Sequence, residues 1–392
     1  MPGLRVGRLT VFAVRAARLF DGITVSTLIR PMIFVDNGRI TRIADSFDED
    51  AADVNVIDLG DATLMPGLID CHQHLVLDAS GDPVGHLARR NDRQVLEGTR
   101  KAARTALAAG ITTVRDLGDR NFVLLPLREE LARDPSAGPE LLVAGPPLTS
   151  PGGHCWFLGG ETSGVDEVIS AVRVRATRRV DVIKVMITGG ALTPGSRNDT
   201  IQFSVAELEA IVTEAHNLGL TVTGHVKCAR GLALAMSAGF DGIEHGLFLA
   251  EVPDPQIVEA LAAARIYISV TAAFKPLPDL TSPLDRFETA FMTLRAVGVR
   301  LILSSDAGIN PSVPHDALPY GVMRLPRIGM ANAEALRTVT SWAASACGLG
   351  DRKGRIAPGY DADIVATNGN PVDDLSALAQ VTAVFRSGLR VV

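Results

Sequence analysis

LMPGLIDCHQHL, residues 64–75, is the stretch of sequence that decides the fold. An apolar run ends here in two histidines, His72 and His74, with one residue between them. Successive side chains of a β-strand point to opposite faces, so both imidazoles face the same way. We therefore predict a buried strand over residues 64–75 that presents two polar groups at its end.

Downstream of this strand, short apolar runs alternate with stretches rich in Ala, Leu, Glu and Arg, such as residues 205–218. That alternation is typical of βα units around a parallel sheet. Eight such units favour an α/β fold, a (β/α)8 TIM barrel over residues 66–353. The predicted strands after the first one are residues 111–115, 141–144, 182–186, 221–225, 242–245, 266–270 and 300–304.

The two ends of the chain have a different pattern. Apolar and polar residues alternate at 10–14 and 32–35, and a turn is predicted at Asp36-Asn37-Gly38. Strand-like runs return at 362–365 and 382–385. Because neither end has enough strands to bury a face alone, we expect residues 1–65 and 354–392 to form one small β-sandwich domain beside the barrel.

Composition excludes several classes of partner. The formal charge is only -6, and no run of Lys or Arg is interleaved with aromatics, so we expect no nucleic acid. No apolar stretch is long enough to predict a membrane span. We expect a cytoplasmic homo-oligomer that acts on a small-molecule substrate. The four cysteines are scattered without paired spacing and are predicted to be reduced. Three of them, Cys71, Cys155 and Cys228, are predicted to be packing residues.

The unusual polar residues fall at the ends of predicted strands. In a parallel barrel the catalytic groups come from the C-terminal strand ends, which meet at one mouth. Neutral imidazole binds zinc well, carboxylate suits harder divalent ions, and a catalytic site leaves one position to water. The pattern therefore predicts a metal site in which water is the nucleophile. The predicted ligands are His72, His74, Lys184, His225, His245 and Asp306.

Lys184 needs an explanation of its own, because it lies within the apolar run at 182–186. An inward-pointing ammonium is strongly disfavoured there unless something compensates its charge. One interpretation is an ion pair with Asp306 or another acid. The other is reaction with carbon dioxide to give an anionic carbamate that bridges two metals, which burial favours by lowering the lysine pKa.

These motifs together resemble the amidohydrolase superfamily over nearly the whole chain. The similar stretches are the 65–74 run, Gly224-His225, Glu244-His245-Gly246, Ser305-Asp306-Ala307-Gly308 and residues 358–363. The sequences around Lys184 and His154 are similar to the imidazolonepropionase-like branch, which contains Xaa-Pro dipeptidase and carboxypeptidase-type enzymes. The resemblance implies a barrel flanked by a β domain built from both termini.

The resemblance also implies a ligand set for two divalent metal ions, with zinc as the expected element. His72, His74 and Asp306 would hold the first ion, His225 and His245 would hold the second, and carboxylated Lys184 would bridge them. Asp306 would have a second, catalytic role as the group that moves the proton.

Substrate-binding residues are harder to predict. Family dipeptidases often carry a tyrosine soon after the strand-five histidine, whereas Val226-Lys227-Cys228 follows His225 here. Lys227 could attract a substrate carboxylate or be a solvated loop lysine. His154 resembles the residue that polarises the scissile carbonyl, although it could merely cap a turn. His315 follows the last strand, and we predict that it lines the mouth and contacts substrate.

The predicted reaction is hydrolysis of a carbon–nitrogen bond by a metal-bound hydroxide, with an N-acyl amino acid or dipeptide as substrate. Asp306 would take the proton from the water and deliver it to the departing nitrogen. An alternative is a cyclic amide hydrolase or a heterocycle deaminase of the same superfamily. A non-catalytic scaffold is a third interpretation, but such a relative would be expected to have lost metal ligands, and none is missing here.

Overall fold

The computed structural model describes residues 11–45, 54–246, 255–264, 266–276 and 288–392. Thr10, at the start of a predicted strand, lies outside the described residues, as do 46–53 of the predicted small domain. The described strands before residue 67 are β1 (Phe12–Arg15), β2 (Arg18–Leu19), β3 (Met32–Asp36), β4 (Arg39–Ala44), β5 (Asn55–Asp58) and β6 (Ala62–Pro66).

The remaining strands fall into a parallel group and a C-terminal group. The parallel group is β7 (Leu68–Gln73), β8 (Ile111–Asp116), β9 (Glu140–Val143), β10 (Val182–Met186), β11 (Thr221–Val226), β12 (Gly242–His245), β13 (Tyr267–Thr271) and β14 (Arg300–Ser304). The C-terminal group is β15 (Ile364–Asn368), β16 (Val381–Arg386) and β17 (Leu389–Arg390).

Helices separate the parallel strands, and the α/β prediction is confirmed. Strands β7 to β9 form one parallel sheet and β10 to β14 form another. No helix in the described ranges has the length and apolar character needed to cross a membrane. The helices are α1 (Pro83–Arg89), α2 (Asp92–Ala108), α3 (Leu124–Arg133), α4 (Val165–Thr177), α5 (Val205–Asn217), α6 (Ala229–Ala238), α7 (Pro255–Ala264), α8 (Glu288–Ala296), α9 (Leu318–Val322), α10 (Asn332–Arg337) and α11 (Ser341–Ala346).

Helix α5 illustrates how sequence sets these elements. Ser204 caps its first turn by accepting from the Glu207 N–H, while the Glu207 carboxylate accepts from the Ser204 N–H. This reciprocal capping box satisfies two backbone donors that the helix leaves unpaired. The helix then buries one stripe, Leu208, Ile211, Val212 and Ala215.

The two parallel sheets are hydrogen-bonded to each other at both edges. After β9, Leu148 N–H donates to the Lys184 carbonyl at 2.8 Å, and Met186 N–H donates to the Leu148 carbonyl at 2.8 Å. After β14, Asp306 N–H donates to the His72 carbonyl at 2.8 Å. Backbone bonds therefore tie the segment after β9 to β10, and the end of β14 to the end of β7.

The predicted strand over 64–75 is two strands, which corrects the first sequence prediction. β6 pairs with β15 in a terminal sheet, whereas β7 pairs with β8 in the parallel sheet. The change of sheet occurs at Gly67, where a Cβ atom would lie 2.1 Å from Thr112 Oγ1. Only glycine therefore fits where the chain passes from one sheet to the other.

Both chain ends contribute to the remaining sheets. One has the strand order β4-β3-β1-β5, and the other has β17-β16-β15-β6-β2. The turn predicted between β3 and β4 is present, with Asn37 at φ 48° and Gly38 at φ 77°, as a two-residue hairpin requires. Apolar side chains of the two sheets share one buried cluster, and the rings of Phe12 and Phe385 stack at 6.2 Å.

An ion network connects the C-terminal segment to the parallel strand β9. The buried ammonium of Lys353 lies 3.0 Å from Glu140 Oε2, at the start of β9, and 2.5 Å from Asp363 Oδ2. Arg352 also bonds Glu140. Burial opposes ionisation of the Glu140 carboxyl, but its bonds to Arg352 and Lys353 lower its pKa to about 2.

Replacing Glu140 with glutamine should lower the free energy of unfolding by an amount that depends on pH. A carboxyl whose pKa is lower in the folded state stabilises that state above its ordinary pKa of 4.5, and the stabilisation is lost as the pH falls toward about 2. Near neutral pH we expect the variant to lose about 1.5–3 kcal/mol of unfolding free energy. Melting temperatures of both proteins across acidic pH measure this, and a difference that did not shrink below pH 4.5 would contradict it.

Candidate active site

Two histidines and an aspartate meet at the C-terminal ends of β7 and β14. Asp306 Oδ1 lies 3.4 Å from His72 Nε2 and 3.3 Å from His74 Nε2, and the two imidazole nitrogens are 3.3 Å apart. His72 and His74 point the same way, as the alternation of side chains along a strand requires. The predicted first ligand group is therefore assembled in space.

A second pair of histidines adjoins the first. His245 Nε2 lies 2.8 Å from His225 Nδ1, and His245 Nδ1 lies 3.9 Å from Asp306 Oδ2. One ligand atom from each of His72, His245 and Asp306 falls within 4.8 Å of the other two, which is a spacing that could hold a metal ion. All four imidazoles are buried, so bulk water has little access to form hydrogen bonds with their nitrogens.

Lys184 on β10 has a buried ammonium nitrogen with no partner. The residue is 1% exposed, and Nζ makes no hydrogen bond within the described part of the chain. The ion pair with Asp306 that was one interpretation of Lys184 is not formed there. An orphaned buried amine beside four histidines and a carboxylate fits a site that takes a further, charge-compensating group.

Two of the site residues have a backbone conformation that side chains rarely adopt. His245 has φ 70° and Asp306 has φ 61°. His245 is the last residue of β12, and Asp306 follows β14, so both occur where a strand ends at the site. Left-handed conformations at non-glycine residues are strained and concentrate at functional sites.

A buried carboxylate lies directly behind the histidines. Glu244 accepts from His72 Nδ1 at 2.8 Å, from Arg115 Nη2 at 2.8 Å and from Thr223 Oγ1 at 2.6 Å. The Arg115 guanidinium also bonds the Cys71 carbonyl at 2.8 Å. These bonds fix the orientation of His72 and leave its Nε2 free to bind a metal.

These residues open into a cavity of about 200 Å³. Its lining combines the polar cluster with apolar side chains and Lys227, whose ammonium forms no ion pair with any described residue. His154 also forms part of the wall, with its ring centroid 4.5 Å from that of His225. The full lining is His72, His74, His154, Cys155, Lys184, Met186, Ala191, Leu192, Asn198, His225, Lys227, His245, Asp306 and Ile309.

The model of one protein family, the amidohydrolase family, matches residues 63–391 of this chain. The chain belongs to the amidohydrolase family. It is therefore a metal-dependent hydrolase of carbon–nitrogen bonds. The predicted similarity to the imidazolonepropionase-like and Xaa-Pro dipeptidase branch is confirmed.

The proteins that are similar to this amidohydrolase are named for several different enzyme activities. Ochratoxinase of Aspergillus niger is 26% identical over 368 residues, which is 83% of this chain and 75% of the relative. Imidazolonepropionase of Vibrio vulnificus is 28% identical over 344 residues, 79% of each chain. A solved Xaa-Pro dipeptidase with bound methionine superposes with a TM-score of 0.85 at 26% identity, covering 97% of this chain and 99% of the dipeptidase.

The electrostatics of this amidohydrolase site favour metal-ligating forms. Burial lowers the pKa of His72 to about 4 and that of Lys184 to about 8. Burial also holds the pKa of His225 and His245 well below the ordinary range. Asp306 has a lowered pKa despite its burial, because His72 and His74 stabilise its charge. His74 differs, because its bond to Asp306 raises its pKa despite burial. For the other histidines and Asp306, the favoured forms are the neutral imidazole and the ionised carboxylate that bind metals.

His315 is absent from the lining of this cavity, contrary to the prediction that it lines the mouth. Its Nδ1 lies 3.2 Å from Gln73 Oε1 and its Nε2 lies 3.0 Å from the Leu77 carbonyl. The ring is 7% exposed and is absent from the cavity lining. Both ring nitrogens of His315 therefore contact the end of β7 and the segment that follows it.

Glu244 and Arg115 are the site residues that sequence reasoning missed. Glu244 precedes His245 in the sequence, but this adjacency does not indicate that its carboxylate bonds His72. Arg115 is buried in β8, and a charged residue inside a predicted strand was an available signal. Its partner could not be identified from sequence, because 129 residues separate the two.

Proposed function

We propose that this amidohydrolase cleaves the amide bond of an N-acyl amino acid or a dipeptide. The observation that carries the proposal is the cavity wall, which places an unpaired cation, Lys227, beside the histidine and aspartate cluster. A substrate with a carboxylate near its scissile amide would complement both features. The name of one structural neighbour, a Xaa-Pro dipeptidase, supports the same substrate class.

The fold that presents this site is proposed to be a closed (β/α)8 barrel. The backbone bonds that tie Leu148 to β10 and Asp306 to β7 support closure at both edges of the two sheets. The terminal sheets are proposed to form a β-sandwich over residues 1–65 and 354–392, with 66–353 as the barrel domain. Their shared apolar cluster supports the sandwich.

The resident group is proposed to be a pair of divalent ions, with zinc as the expected element. His72, His74 and Asp306 would hold one ion, and His225 and His245 the other. Lys184 would bridge them after its neutral amine adds to carbon dioxide, forming an N–C bond and releasing one proton. The absence of any partner at Lys184 Nζ supports this modification. Mass spectrometry of the intact metal-loaded protein tests it, and an unmodified Lys184 would refute it.

The side chains then divide the work of hydrolysis. When bound, the divalent ions would lower the pKa of water toward about 7 and would polarise the substrate carbonyl. Asp306 takes a proton from the water whose oxygen attacks the carbonyl carbon. It delivers that proton to the departing nitrogen as the carbon–nitrogen bond breaks. His154 donates a hydrogen bond to the carbonyl oxygen as negative charge develops there.

Lys227 is proposed to bind the substrate carboxylate. Replacing it with methionine should raise KM for N-acyl amino acids about 10- to 100-fold, since a hydrogen bond to a charged group contributes about 1.5–3 kcal/mol. The KM for a matched amide without the carboxylate should change little. The exposed Lys101→Met variant is the control, and an equal effect of Lys227→Met on both substrates would contradict the assignment.

The experiment that tests the function is a screen of the metal-loaded enzyme against N-acyl amino acids, dipeptides, aryl amides and lactams. Chelation should abolish hydrolysis, and added zinc or manganese should restore it. Preferred turnover of lactams or deamination of heterocycles would favour the alternative, and one metal ion per chain with an unmodified Lys184 would agree with it. Assembly as a homo-oligomer and a cytoplasmic location stay predictions.

A further inference from the structure

The imidazole of His154 is held by one hydroxyl group. Its Nδ1 lies 3.1 Å from Thr193 Oγ1, in the segment that follows β10. Both residues are buried, at 4% and 3% exposure. Nε2, the other ring nitrogen, has no hydrogen-bond partner in the described part of the chain, and the ring belongs to the cavity wall.

The donors and acceptors around Thr193 decide where its hydrogen goes. The backbone N–H of Cys155 donates to Thr193 Oγ1 at 2.8 Å and uses one oxygen lone pair. The hydroxyl hydrogen then needs an acceptor, because a buried donor without one is disfavoured. Among the described contacts the acceptors beside it are His154 Nδ1 and the Cys155 sulfur. Sulfur is the weaker acceptor, so the hydrogen is donated to Nδ1.

We propose that Thr193 is a positioning residue that holds His154 in the tautomer with its hydrogen on Nε2. A nitrogen that accepts from a hydroxyl cannot carry a hydrogen itself, so the neutral ring has its hydrogen on the other nitrogen. That N–H is a donor on the cavity wall. The inference rests on the proposed function for its catalytic meaning, but the tautomer itself does not depend on the substrate.

Gly190 limits the position of the His154 ring on the side of Nε2, away from Thr193. A Cβ atom at residue 190 would lie 2.4 Å from His154 Nε2, so any side chain there would displace the imidazole. Thr193 and Gly190 lie in the same segment after β10, which therefore both places the ring and selects its tautomer. The opposite tautomer would present a lone pair to the developing negative charge of the carbonyl oxygen and oppose the reaction.

The experiment compares Thr193→Val, which removes the hydroxyl, with Thr193→Ser, which keeps it. Nitrogen NMR of the zinc-loaded full chain with ring-labelled histidine reports the tautomer, and the signal lost in His154→Gln identifies the residue. The wild type and Thr193→Ser should both show hydrogen on Nε2. Thr193→Val should lose that preference, while Cys155→Ala, which removes the rival acceptor, should keep it.

Kinetics supply the second readout. Thr193→Val should lower kcat about 10-fold with little change in KM, and Thr193→Ser should restore it, since supporting partners of this kind are worth about that much. Hydrogen on Nδ1 in the wild type would overturn the proposal even if Thr193→Val failed to fold, as would an unchanged tautomer in Thr193→Val. If the observed tautomers match these expectations but no amide is cleaved, the proposed function fails and the assignment of Thr193 stands.

Discussion

Replacing Asp306 with asparagine is expected to lower kcat by about 10²- to 10⁴-fold, the range that proton transfer by a positioned side chain contributes. Asparagine keeps the shape of the side chain but cannot take a proton from the attacking water. The backbone bond from Asp306 N–H to the His72 carbonyl does not involve the carboxylate, so the strand ends should stay in place.

Metal content separates this catalytic role from a purely ligating one. Four histidines surround the position, so elemental analysis of Asp306→Asn should show only a partial loss of metal. The matched control is Asp316→Asn, because Asp316 follows β14 but pairs with Lys275 outside the cavity lining. Near-normal turnover of Asp306→Asn would show that another group moves the proton.

Replacing Glu244 with glutamine is expected to cause the largest loss of stability. Glu244 is fully buried and lies 2.8 Å from the Arg115 guanidinium. Removing its charge leaves Arg115 buried without a counter-charge, and breaking a buried pair in this way typically costs about 3–5 kcal/mol. Because Glu244 also orients His72, metal affinity should fall about 10- to 100-fold.

Urea unfolding at saturating zinc, and again in chelator, measures these two effects separately. The double variant Glu244→Gln with Arg115→Gln removes both charges and should recover part of the lost stability. The exposed Glu209→Gln variant is the surface control and should stay within about 0.5 kcal/mol of the wild type. A Glu244→Gln protein as stable as that control would show that the buried pair is not needed for stability.

Sequence reasoning predicted which histidines would meet because strand ends are visible in the apolar pattern. Parallel strands bring their C-terminal ends to one edge of a sheet, so residues as distant as His72 and His245 could be predicted to meet. The structure places them with Asp306 within ligating distance. Their identity as ligands stays a prediction.

The missed features depend on contacts that local pattern does not encode. Residues 64–69 carry no polar side chain, so nothing in their periodicity indicated the change of sheet at Gly67, which the close approach of Thr112 enforces. His315 was expected at the mouth because it follows β14, but the loop folds inward and Gln73 bonds its ring. Which way a loop histidine turns is decided by tertiary partners, not by distance from a strand.

The pairing of β6 with β15 has a consequence for how the protein is made. Residues 62–66 are synthesised long before their partner, residues 364–368. The edge of β6 that β15 will cover stays open throughout elongation, and an open strand edge can pair with another chain. A nascent chain is therefore vulnerable to association at this edge until residues 364–368 have been made.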